Sequence, residues 1–161
     1  MRQLRSIATV AALALLAACD LDTSPNIPAA IDPAKDTYAS SLGVDMAKMK
    51  KTASGLYYRD LELPTSGVAA LKGDSVQVHY TLWLTNGTQV ESSEGKDPLE
   101  FLTGANPPRV IPGFEEGVLG MLPTGKRQLV VPPTLAWGSQ GNPPVQPNAN
   151  IVFVVTYLGK L

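Results

Sequence analysis

Residues 75–90 read SVQVHYTLWLTNGTQV, and no other stretch limits the possible folds so tightly. Val76, Val78, Tyr80, Leu82 and Leu84 alternate with Gln77, His79, Thr81 and Trp83. Successive side chains of a strand point to opposite faces, so the pattern predicts a strand with one face on a core. Asn86-Gly87 follows at once. The tightest hairpin turns need positive φ, which this pair tolerates, so the chain must double back into an antiparallel partner. Further strand-like runs stand at LEFL (99–102), KRQLVVP (126–132) and NIVFVVTYL (150–158). Each is short and bounded by Gly or Pro. No helices alternate with them, which predicts an antiparallel sheet.

One internal helix is expected, over 112–122. Pro112 suits a first turn, Glu115 and Glu116 complement the positive end of the helix dipole, and Pro123 stops it. Gly113, Gly117 and Gly120 weaken it by about 1 kcal/mol each relative to alanine. They fall on one narrow face, beside an apolar face of Phe114, Val118, Met121 and Leu122. Such a helix exists by packing: its glycine face lets the backbone approach the sheet closely. The domain class is therefore α+β, an antiparallel sheet around one short helix.

Length and charge narrow the function. With 161 residues and a formal net charge of −1, the chain is one ordinary domain plus extras, and nucleic acid is not an expected partner. One cysteine excludes an intramolecular disulfide, and one histidine excludes a multi-histidine metal site. No cofactor is expected. His79 lies on the strand face opposite Tyr80, which reads as a structural position.

The N-terminus supplies the extras. Arg2 and Arg5 precede an uncharged, mostly apolar run from Ile7 to Ala18. The run is shorter than the roughly 20 residues needed to cross a bilayer and fits the core of a secretory signal peptide. It ends in Leu16-Ala17-Ala18-Cys19, which resembles a bacterial lipobox, with the only cysteine where lipidation requires it. The expected division is a signal peptide at 1–18, a lipidated Cys19 with a flexible linker over 19–54, and a domain at 55–161. The resemblance implies an extracytoplasmic, periplasm-facing protein held to a membrane by its lipid. Asp20 resembles the inner-membrane retention signal of some double-membraned bacteria. Pro25, Pro28 and Pro33 favour a flexible tether. Leu42, Met46 and Met49, behind Ser41, suggest a short amphipathic helix that packs on the domain, lies on a membrane or pairs with its own copy.

From Gly55 to the end the chain resembles the FKBP family of peptidyl-prolyl cis–trans isomerases, in order and throughout. The matching pieces are GLYYRDLE, GDSVQVHYTLWLTNGTQVESS, PLEFLTG, RVIPGFEEGVLGMLPTGKRQLVVPPTLAWGSQGNPP and NANIVFVVTYLGKL. The resemblance implies the fold already read from the pattern, with a prolyl pocket between helix and sheet. Phe114 would floor that pocket, and Tyr80, Glu91, Trp137 and Phe153 would stand around it with Ile111. The Ile111 N–H would donate to a client carbonyl. Val90, Leu99, Phe101, Val110 and Val145 would complete the walls. Val90 and Leu99 stand where the family usually has Phe, Glu91 where it has Asp, and Trp137 where it has Tyr. Without the resemblance, Tyr80, Phe114 and Phe153 would read as ordinary core residues. The implied function is isomerisation of proline-containing unfolded or secreted polypeptides by a monomer, modest in rate and weak in binding macrolides such as tacrolimus. The alternative is a non-catalytic proline-binding or chaperone module.

Overall fold

The computed structural model describes residues 27–161; residues 1–26, including the leader and Cys19, lie outside the described residues. Seven strands and one α-helix carry the fold: β1 (Lys50–Lys51), β2 (Tyr57–Glu62), β3 (Ser75–Leu84), β4 (Gln89–Ser92), β5 (Leu99–Leu102), α1 (Pro112–Val118), β6 (Lys126–Val131) and β7 (Ile151–Lys160). The sheet order is β1-β2-β6-β7-β3-β4, with β5 also pairing β3. Every pairing is antiparallel. The alternating run at 75–84 is the centre of this sheet. β7 pairs along its whole length on one side, while β5 takes residues 75–78 and β4 residues 81–83 on the other.

Alternation sorts the strands into two faces. Val76, Val78, Leu82, Leu129, Val131, Ile151, Phe153, Val155 and Tyr157 form one core with Phe114 and Val118 of α1. Tyr57, Val130 and Val152 point the other way. The helix lies so close to the first face that a Cβ at Gly113 would collide with Val131, and one at Gly117 with Leu129. Gly120 does not belong to this approach. It has open space around it and a φ of +77°, and its role is to turn the chain after the helix. The helix consequently ends at Val118 rather than 122. Arg127 fixes that end from the sheet, donating to the carbonyls of Gly117 at 3.0 Å and Leu119 at 3.2 Å. The same guanidinium pairs with Asp60 at 2.6 Å and sits 4.7 Å from the centre of the Tyr58 ring. A cation at a helix C-terminus complements the negative end of its dipole.

The second face is covered by residues 27–51, which the sequence reads as a flexible linker with a short helix. No α-helix forms there. Three 3₁₀ turns (Pro33–Lys35, Ser40–Leu42, Met46–Lys48) and β1 make a strap instead. Gly43 in the left-handed region, with φ +58°, interrupts the helical pattern after Leu42. The three apolar residues singled out by spacing still share a target. Leu42, Met46 and Met49, with Tyr38 and Val44, pack on Tyr57, Val130 and Val152. Side chains of the sheet and of the loop before β7 hold the strap backbone: Gln128 donates to Leu42 O at 2.7 Å, Arg59 to Gly43 O at 2.9 Å, and Asn148 to Pro28 O at 2.7 Å. Asn150 donates to both Ile31 O at 2.9 Å and the Asp36 carboxylate at 2.8 Å. Burial first, and then the neighbouring Asp36, Tyr57 and Asp32, push the Tyr38 phenol well above the ordinary tyrosine range.

Candidate functional site

Four aromatic rings meet above the helix. Phe114 is 2% exposed, and its ring centre lies 5.1 Å from Phe153, 5.5 Å from Tyr80 and 5.9 Å from Phe101. The interplanar angles of 53–76° bring ring edges toward ring faces, the arrangement aromatic quadrupoles favour. Each ring has a different carrier: β3 for Tyr80, β5 for Phe101, β7 for Phe153 and α1 for Phe114. Closing the glycine-faced helix onto the sheet is what brings them together.

Beside this cluster opens a cavity of about 550 Å³, a size ordinary for a small-molecule or peptide side-chain site. Eight of the residues named from the sequence line it: Tyr80, Glu91, Leu99, Val110, Ile111, Phe114, Trp137 and Phe153. Three do not. Phe101 packs behind Phe114, and Val145 is buried in the core at 4% exposure. Val90 is the extra residue of a β-bulge, since Leu82 pairs with Glu91 and Trp83 with Gln89. Val90 still packs on the helix-face core, but it opens onto a neighbouring polar depression shared with Thr81, Ser92, Glu94 and Lys96. Leu82, Pro108, Arg109 and Pro112 line the cavity without having been singled out. Strand parity with Tyr80 was signal enough for Leu82.

Polar groups are few. Ile111 caps α1: its carbonyl accepts from Phe114 N–H at 3.0 Å and Glu115 N–H at 3.2 Å. The N–H of Ile111 has no protein acceptor among the described residues. Pro112, next in line, has no N–H at all. Burial chiefly, and secondly the hydrogen-bonding and charge of the Glu91 carboxylate, push the Tyr80 phenol well above the ordinary tyrosine range. It is therefore a protonated donor at any physiological pH. His79 stands outside the cavity, its Nδ1 3.1 Å from Ser93 Oγ. Among the described residues no group of His, Cys, Asp and Glu is placed to hold a metal ion.

A half-helix closed onto a curved antiparallel sheet, with an aromatic-floored cavity between them, defines a class. Residues 67–158 match the family described as FKBP-type peptidyl-prolyl cis-trans isomerase. The chain belongs to that family. It is 39% identical over 106 residues to an FK506-binding protein of Neisseria meningitidis serogroup B, covering 65% of this chain and 94% of the relative. It is 45% identical over 86 residues to FK506-binding protein 2 of Yarrowia lipolytica, covering 52% of this chain and 58% of the relative. Among solved structures, AtFKBP13 matches with a TM-score of 0.64 at 32% identity, covering 70% of this chain and 98% of that one. FkpA from Escherichia coli matches with a TM-score of 0.62 at 36% identity, covering 70% and 51%. The chain thus spans little more than half of some relatives and nearly all of others.

Proposed function

We propose that this protein catalyses cis–trans isomerisation of X–Pro bonds in polypeptides outside the cytoplasm, held to a membrane by a lipid on Cys19. One observation carries the catalytic part: an aromatic-floored cavity with an uncommitted backbone N–H, Ile111, on its wall.

The chemistry follows from the amide. Resonance holds the peptide bond planar behind a barrier of about 18–20 kcal/mol. No bond to carbon is made or broken on rotation, so neither a nucleophile nor a metal is called for. The planar form is the more dipolar and the better hydrated. A prolyl ring seated on Phe114, between Tyr80 and Phe153, strips water from its own amide and weakens that preference. The Ile111 N–H holds the client carbonyl, and the Tyr80 hydroxyl, once turned from Glu91, offers a second donor. Fixed donors in a dry site stabilise a twisted carbonyl without reorganising. Lowering the barrier by about 5 kcal/mol accelerates rotation several thousandfold.

The extracytoplasmic part rests on the sequence of residues 1–20, with its positive start, apolar run and lipobox-like Leu16-Ala17-Ala18-Cys19. A second reading, a non-catalytic proline-binding module, draws on Leu99, which puts a smaller side chain in the cavity where the family usually has a ring. Exchange spectroscopy on a proline peptide, with the purified chain at micromolar concentration, separates the two. Acceleration supports catalysis, and Leu99→Phe should then raise both the rate and tacrolimus affinity by narrowing the cavity. Binding without acceleration favours the module. Mass spectrometry of Cys19 from membranes tests the anchor, and an unmodified thiol refutes it.

A further inference from the structure

The cavity is lined by two charged side chains, Glu91 and Arg109, and their circumstances differ. Glu91 is exposed but lies close enough to the Tyr80 phenol to raise its pKa. Arg109 is exposed. Among the described residues it takes part in none of the ion pairs, which join Lys48 to Asp45, Lys126 to Glu62, Arg127 to Asp60 and Lys160 to Asp74. The acids that follow it on α1 are engaged elsewhere. Glu115 accepts from Gly104 N–H at 2.8 Å, and Glu116 from Ser54 Oγ at 2.7 Å. The backbone beneath Arg109 is stiff, because Pro107, Pro108 and Pro112 fix φ on both sides. A full positive charge is thus held on the rim with no ion-pair partner among the described residues.

Its place relative to the reacting bond is set by chain length. Arg109 is two residues before Ile111, whose N–H receives the client carbonyl in the mechanism above. Two residues span at most about 7 Å. The guanidinium therefore reaches a client side chain one or two positions from the prolyl bond, on one flank.

We infer that Arg109 is a specificity-determining residue, selecting clients that carry an acidic side chain beside the proline. The inference rests on the isomerase reading and adds to it a substrate preference that the apolar cavity alone does not give. A carboxylate there completes an ion pair that the folded protein leaves open. A lysine there meets a like charge.

The test uses proline peptides identical except for Glu, Gln or Lys within two positions of the proline, placed on each flank in turn. Isomerisation is followed by exchange spectroscopy. On one flank kcat/KM should fall in the order Glu, Gln, Lys, with a Glu-to-Lys ratio of about threefold at low salt, typical of an exposed ion pair. The ratio should shrink toward one in 1 M salt, where charges are screened beyond about 3 Å. It should survive Arg109→Lys and invert in Arg109→Glu. Turnover of the Gln peptide with equal Glu and Lys rates overturns the inference and leaves the isomerase reading standing. An unchanged ratio in Arg109→Glu also overturns it. No turnover of any peptide overturns both.

Discussion

The two faces of the sheet are built by opposite means. On the helix face, a continuous apolar surface receives a short helix, and the contacts are apolar packing: the Gly117 backbone against the Leu129 side chain, Phe114 against three rings. On the strap face, three buried sheet residues are covered by irregular chain whose backbone is caught by Gln128, Arg59, Asn148 and Asn150. The first face leaves a cavity and the second is closed. A helix satisfies most of its own backbone, and this one needs only Arg127 at its last carbonyls. An irregular strap needs partners for its carbonyls as well, because a buried unpaired backbone group costs about as much as a lost hydrogen bond. The helix face thus carries the open cavity, and the strap face is sealed.

That division can be broken experimentally. Removing the strap, so that the chain starts at Thr52, should have the largest effect. It uncovers Tyr57, Val130 and Val152, each worth roughly 1.5–3 kcal/mol when buried, for a loss of about 5 kcal/mol. Urea titration should show the loss, while exchange spectroscopy at low temperature should still find isomerase activity in the folded fraction. Equal stability with and without the strap would mean it merely lies there. Phe114 sharpens the other side. Phe114→Ala should cost about 4 kcal/mol as a core truncation. Phe114→Leu should cost less than about 1.5 kcal/mol and yet lower kcat/KM clearly, since it keeps apolar volume and loses the ring. If Phe114→Leu is fully active, the aromatic floor is only packing. Asn150→Ala should cost about 2 kcal/mol by orphaning Ile31 O and Asp36, with kcat/KM unchanged. A change in rate would show that the strap side reaches the cavity.

The smallest effect is a titration. Tyr38 on the strap side and Tyr80 on the helix side both have folded pKa values raised above the unfolded value of about 10. Their stabilising contribution is complete below pH 10. It is lost as pH rises further, because the unfolded chain releases those protons first. Ultraviolet absorbance should show both phenols still protonated past pH 10 in the folded protein. Strap removal should bring the alkaline unfolding transition to lower pH. An ordinary titration of both tyrosines at pH 10 in the folded state would refute their burial.

What could be read from the sequence follows the same line. Alternation at 75–84, the Asn86-Gly87 turn and the glycine spacing are periodic or local signals, and they lead to the helix face; the eight residues of the cavity were legible only through the family resemblance. The strap has no period. Its position is decided by bonds between residues far apart in sequence, such as Gln128 to Leu42 and Asn150 to Ile31, which no window of neighbouring residues contains. Pro33, one of the prolines that suggest a loose tether, here starts a 3₁₀ turn behind an Asp32 cap. The displacement of Val90 likewise needs the bulge, a property of pairing between β3 and β4 rather than of either strand.

The docked strap also sets a leash. With a lipid on Cys19, as proposed, a linker free over residues 20–54 would let the domain range about 120 Å from the bilayer when stretched. Chain already fastened at Pro28 by Asn148 leaves only the stretch before it, a reach of about 25 Å. Asn148 belongs to the loop that follows Trp137, its own N–H bonded to Gly138 O at 2.8 Å. The tether therefore leaves the domain beside the cavity wall. A domain anchored in that way would patrol a layer one protein deep, and would meet chains as they come off the membrane rather than those already diffusing away.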